Sequence, residues 1–207
     1  MTVAQRERAA LVEAMRAVGP DAPTLCDGWT TRDLAAHLVV RERRPDAAPG
    51  ILVPRLAGYT QRVQQQVTDS TDWPTLLDRI VSGPPLLSPF KLLDPLVNVA
   101  EMFIHHEDVR RAQPDWEPRV LDEETAGAVA RQVSTMARMT MSKSPVRVAL
   151  TTPEGKTLAT AGKGPAVTVT GEPGELLLFV AGREQTRVEF TGDESSVAAL
   201  RSARRGL

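Results

Sequence analysis

The chain predicts a helical first part followed by a small α+β part. Two observations carry this. Up to about residue 143, apolar residues recur at helical spacing between prolines, and from residue 144 short β-branched runs alternate with glycine-bearing turns. We therefore place a division at 143/144, giving an all-α region, 1–143, and an α+β region, 144–207. No internal repeat or low-complexity segment interrupts either part.

The elements follow in order. Residues 3–18 put Leu11, Met15 and Val18 on one stripe, and Gly19-Pro20 ends that helix. After the loop "DAPTLCDGW", Thr30 stands three residues before Asp33, the spacing of a capping box, and opens a helix that Pro45 closes. Leu56, Tyr59, Val63 and Val67 form a third stripe. The region "DSTDWPTLLDRIVSGPPLLSPF" then allows only a short helix at 75–81. From Asp94, with Pro95 suited to a first helical position, a helix runs to Gln113-Pro114. Asp122 caps the last long helix, with stripe Val129, Val133, Met136 and Thr140. Beyond it, "VRVALTT", "TLATA", "AVTVTG" and "TRVEFTG" read as strands, with "PEGK" as a turn. "PGELLLFVAGR" and "DESSVAALRSARR" read as helices.

Composition excludes several functions. A formal charge of -1 argues against a nucleic-acid binder working by counterion release, although "RERR" and "RSARR" are local basic clusters. No apolar run is long enough to span a membrane, and the N-terminus is charged where a secretory signal is apolar, so a cytoplasmic protein is expected. The single cysteine, Cys26, excludes an internal disulfide and a cysteine-based zinc knuckle, leaving His and carboxylates as metal ligands. Abundant Arg, Ala, Val, Gly and Pro suit a GC-rich coding bias.

The chemistry concentrates in "AEMFIHHEDVRRA", residues 100–112. On a helix, Glu101 and His105 leave the same face one turn apart, whereas His106 points about 100° away. A catalytic zinc site needs a third protein ligand, and His37, on the second helix, is the remaining histidine. The set His37, Glu101 and His105 suits zinc, and also iron, nickel, cobalt or manganese. Asp108 follows His105 by three residues and is either a further ligand or the acceptor that orients its imidazole. The competing readings are a solvated Glu–His pair and a core histidine at His37. Arg41 shares the His37 face, as a cation for an anionic substrate or cofactor or as an exposed residue of the helix end. Cys26 reads as a small buried loop residue rather than a reactive thiol, Trp29 and Trp116 as packing anchors, and His106 as a surface or outer-shell residue.

"LCDGWTTRDLAAHLVVRE", "AEMFIHHEDVRRA", "GELLLFVAGR" and "VEFTGD" together resemble the mycothiol-dependent maleylpyruvate isomerase family, of the DinB/YfiT-like metal-binding superfamily. The resemblance covers nearly the whole chain. It implies an N-terminal four-helix bundle with a small sterol-carrier-like C-terminal α+β domain, and His37, Glu101 and His105 as ligands, zinc being the usual metal. It further implies a C-terminal arginine near the active site, matched here by Arg183. "RERRPDAAPGILVPRLAGY" and "SGPPLLSPFKLLDPL" depart from the isomerases and look like an actinobacterial subfamily. The expectation is a metal-dependent enzyme using mycothiol or a related low-molecular-weight thiol for S-transfer or isomerisation of a small anionic molecule, as a monomer or homodimer. The alternatives are a metal-dependent hydrolase of a small amide and a non-catalytic metal-binding module.

Overall fold

The computed structural model describes residues 1–51, 53–85, 94–203 and 205–206, the side chains of 94–97 excepted. The proline-rich stretch 86–93 and the side chain of Pro95 therefore lie outside the described residues. The chain forms two compact units, Met1–Trp116 and Glu117–Leu207.

The first unit is helical: α1 (Val3–Val18), α2 (Thr31–Arg43), α3 (Ala57–Ser70), α4 (Trp73–Val81) and α5 (Asp94–Arg110), with two short 3-10 turns between α2 and α3. Capping boxes start α1, through Thr2 and Gln5, and α2, through Thr30 and Asp33. α4 begins at Trp73, ahead of the expected 75, because Asp72 caps it and Pro74 fits its first turn. α5 stops at Arg110, short of Gln113. α1 packs on α4 and α5, and α2 on α3 and α4. Leu11, Met15, Leu34, Leu38, Leu76, Ile80 and Met102 are fully buried where these helices meet. Each large apolar side chain removed from water contributes about 1.5–3 kcal/mol. In α3 only Val63 of the expected stripe is buried, while Leu56 and Tyr59 are exposed and the Tyr59 hydroxyl donates to Asp46.

α2 decides where the polar chemistry lies. It is buried from Leu34 through Glu42, so His37, Arg41 and Glu42 face the interior. Buried charges need partners. Glu42 receives the Arg8 guanidinium at 2.5 and 2.9 Å, and Arg8 also donates to the Ile80 carbonyl at 3.0 Å, tying α1, α2 and α4 together.

The second unit contains α6 (Glu123–Thr140), β1 (Arg147–Thr151), β2 (Thr157–Ala161), β3 (Ala166–Thr170), α7 (Pro173–Val180), β4 (Glu189–Thr191) and α8 (Glu194–Ser202). Its sheet has the order β2-β1-β3-β4, with β1 and β3 parallel and the outer pairs antiparallel. Alternation buries Val148 and Leu150 of β1 and Val167 and Val169 of β3. α7 is buried from Gly174 to its end and packs on α6, which also contacts β2. Gly182 follows α7 with φ +88°, and a Cβ there would stand 2.6 Å from the Arg205 carbonyl oxygen. The compact units thus divide at 116/117, and the compositional change at 143/144 falls inside the second. The reason is that Val129, Val133 and Ala137 of α6 are buried within that unit. Among the described residues no helix is long and apolar enough to cross a membrane.

Candidate metal centre

α2 and α5 bring His37, Glu101 and His105 together inside the first unit. Glu101 Oε1 lies 3.3 Å from His105 Nε2 and 3.7 Å from His37 Nε2. The two imidazole rings meet edge to face, with centroids 5.6 Å apart. These separations are longer than charge-assisted hydrogen bonds, about 2.7–2.9 Å. The shorter of them matches donors sharing one ion, since ligands about 2.0–2.1 Å from a tetrahedral centre stand about 3.3–3.4 Å apart, and the longer lies somewhat beyond that spacing. Two imidazoles and one carboxylate are a donor set that fits a divalent transition metal.

The surroundings hold this set in place. Asp108 is fully buried and its Oδ2 lies 2.9 Å from His105 Nδ1, so the other ring nitrogen, Nε2, is the one that faces Glu101. A carboxylate at Nδ1 sets the tautomer of a ligating histidine and strengthens its basicity. Cys26 Sγ donates to the same Asp108 oxygen at 3.2 Å and stands 3.9 Å from His105 Nδ1. The loop carrying Cys26 is docked on α5, since the Leu25 N–H donates to the Asp108 carbonyl at 3.0 Å. Its tip is a tight turn, closed by the Trp29 N–H to the Cys26 carbonyl, that needs φ +73° at Gly28. The turn sets Trp29 against the His37 ring, at 5.0 Å between centroids. Cys26, His105 and Asp108 also form a close trio of potential ligands. That trio uses the Nδ1 edge of His105, where Asp108 already sits at hydrogen-bond distance.

Arg41 is buried, 6% exposed, so the exposed-residue reading does not hold for it. Its Nε lies 3.2 Å from Glu101 Oε1 and its Nη1 donates to Asn98 Oδ1 at 2.9 Å. Burial by itself would raise the Glu101 carboxyl, but the Arg41 guanidinium and the two imidazoles hold it well below the usual carboxylate range. Burial would likewise depress the His105 imidazole, yet hydrogen bonding to Asp108 and Cys26 and the nearby Glu101 carboxylate push it well above its ordinary value. His106 is buried rather than superficial: its position on α5 turns it toward α1, where Nδ1 lies 3.1 Å from Glu7 Oε2. Trp116 packs under the Arg111 guanidinium at 4.6 Å. Arg183 belongs to the second unit and donates to the Ala181 carbonyl at 2.8 Å.

Sequence reasoning missed Asn98 and undervalued Cys26 and Trp29. Asn98 was legible as the residue three before Glu101, on the same helical face. Nothing local marks the contact of Cys26 with Asp108, because it joins a loop to a distant helix.

Fold and cluster define a class: a helical unit with an inward His, Glu, His set, followed in the chain by a small α+β unit. The chain belongs to the mycothiol maleylpyruvate isomerase N-terminal domain family, whose sequence pattern matches residues 2–160. A crystal structure of a histidine-to-alanine variant of the mycothiol-dependent maleylpyruvate isomerase aligns with 92% of this chain and 91% of its own, at 11% identity and a TM-score of 0.50. A crystal structure of the mycothiol-dependent maleylpyruvate isomerase aligns over the same shares at 12% identity and a TM-score of 0.48. The first likeness, at such identity, concerns the fold alone. No curated protein matches the chain.

Proposed function

We propose that the chain is a metal-dependent enzyme that uses mycothiol, or a related low-molecular-weight thiol, to isomerise or thiolate a small anionic substrate. The observation that carries this is the convergence of His37 Nε2, Glu101 Oε1 and His105 Nε2 within one ion's reach. Membership of the isomerase family supports the thiol and the reaction class. A divalent cation, zinc foremost, supplies Lewis acidity there and lowers the pKa of a thiol brought to it.

The chain's own residues do the rest. His37, Glu101 and His105 hold the ion, while Asp108 keeps the His105 proton on Nδ1 so that the Nε2 lone pair points inward. Cys26 steadies Asp108, and Trp29 limits rotation of the His37 ring. Arg41 offsets the charge of Glu101 and keeps it ionised. Arg183 enters on the family resemblance, as the arginine that pairs with a substrate carboxylate through its planar fork. Asp108 occupies the ring edge opposite Glu101, which favours three protein ligands and a position left for thiol or substrate over a closed structural site.

The test is elemental analysis of purified protein beside the triple variant His37→Ala, Glu101→Ala, His105→Ala, followed by turnover of maleylpyruvate with and without mycothiol. About one equivalent of metal in the parent, little in the variant, and thiol-dependent turnover are expected. Equal metal in both proteins would sink the ligand assignment. Turnover of a small amide without thiol would move the reading to a hydrolase.

A further inference from the structure

A buried donor beside the metal-type cluster indicates what else the site binds. Asn98 lies on α5 three residues before Glu101 and is 1% exposed. The orientation of its amide follows from Arg41, whose guanidinium can only donate and lies 2.9 Å from Oδ1. Turning the amide over would set donor against donor, so the oxygen must face Arg41. The other end, Nδ2, is buried and has no hydrogen-bond partner among the described residues. Folded proteins rarely leave such a donor unmade, and those that do commonly use it in function.

We propose that Asn98 Nδ2 donates to an oxygen of a small carboxylate bound beside His37, Glu101 and His105, making Asn98 a specificity-determining residue of the site. This rests on the reading of that cluster as a metal centre open to ligands. Arg41 is engaged with Glu101 and with Asn98 Oδ1, so here it positions the amide. Charge favours an anion: a dication with Arg41 outweighs the carboxylates of Glu101 and Asp108 by one positive charge. Geometry favours oxygen, because an amide N–H can only donate and a ligand without an acceptor leaves it unpaired.

The test is calorimetric titration of the full chain with maleate, a small dicarboxylate, with and without zinc, in the parent, Asn98→Asp and Asn98→Leu. Asn98→Asp keeps an oxygen for Arg41 and removes the donors, and Asn98→Leu removes the donors without adding charge. In the zinc-loaded proteins both substitutions are expected to weaken maleate binding about tenfold or more, the factor given by one lost hydrogen bond to a charged group. Zinc affinity of Asn98→Leu should stay within about twofold of the parent, and Asn98→Asp, which keeps the oxygen that Arg41 donates to, should melt no lower. Equal maleate affinity in all three proteins, or no maleate binding by the zinc-loaded parent, overturns the proposal. If the parent takes up no zinc, the metal reading fails by itself. The zinc-free titrations then decide for Asn98, where a loss of binding on substitution upholds it and equal or absent binding overturns it.

Discussion

At the scale of single residues, the candidate centre is defined as much by what stands behind the ligands as by the ligands themselves. Asp108 is fully buried and faces His105 Nδ1, so Asp108→Asn should weaken zinc binding by about 10–100-fold, read by competition with a chromophoric chelator. Cys26 acts one step further out. Cys26→Ala should weaken cobalt binding by less than Asp108→Asn does, and Cys26→Ser, which keeps a donor for Asp108, should restore it. The cobalt spectrum separates this from direct ligation: loss of a sulfur-to-cobalt charge-transfer band on Cys26→Ser would show that Cys26 binds the ion itself. The buried pair of Arg8 and Glu42 joins α1 to α2. Glu42→Gln leaves the Arg8 charge uncompensated inside the first unit and should destabilise the protein by about 3–5 kcal/mol in urea denaturation.

At the scale of elements, caps decide where helices start and therefore which face carries the chemistry. Thr30 accepts from the Asp33 N–H and Asp33 accepts from the Thr30 N–H, which fixes the first turn of α2 and the exit of the Cys26 loop. Thr30→Ala should lower stability by about 1 kcal/mol, checked by the denaturation midpoint. α8 offers a pH test. The Ser195 hydroxyl and the Ser196 side chain and N–H hold the Asp193 carboxyl down to about 2, against an ordinary value of 3.8. A folded-state value below the unfolded one means that its stabilisation is fully present above about 4 and is lost as pH falls toward about 2. Asn caps as well and does not titrate, so the stability difference between the parent and Asp193→Asn should shift against the parent over that window. An unchanged difference between pH 6 and pH 2.5 would remove Asp193 from the account. These caps, and the Glu101–His105 pair, were legible because spacings of three or four residues are decided within one helical turn.

At the scale of the molecule, each unit has its own apolar core, and the chemistry described here sits on buried and half-buried positions of the first. An ion held only by the folded chain makes binding a stability statement. Zinc at about one hundred times its dissociation constant should raise stability by about 2.7 kcal/mol, visible as a higher melting temperature that a chelator reverses. The triple variant at His37, Glu101 and His105 should show no such rise. A parent whose melting does not respond to zinc would count against a cation held by folded α2 and α5.

The sequence by itself determined the order of helices and strands, the caps, the family, and the one-turn pairing of Glu101 with His105. These follow from backbone periodicity and from contacts within a turn. Only the tertiary structure decided that Arg41 is buried against Glu101 and Asn98, that His106 serves Glu7, and that the Cys26 loop docks on Asp108. It also decided that α6 joins the second unit although its composition matches the helices before it. The physical reason is common to all of these. Which side chains meet across elements depends on how buried faces pack and on which charges must find partners out of water, and neither is written in the spacing along one helix.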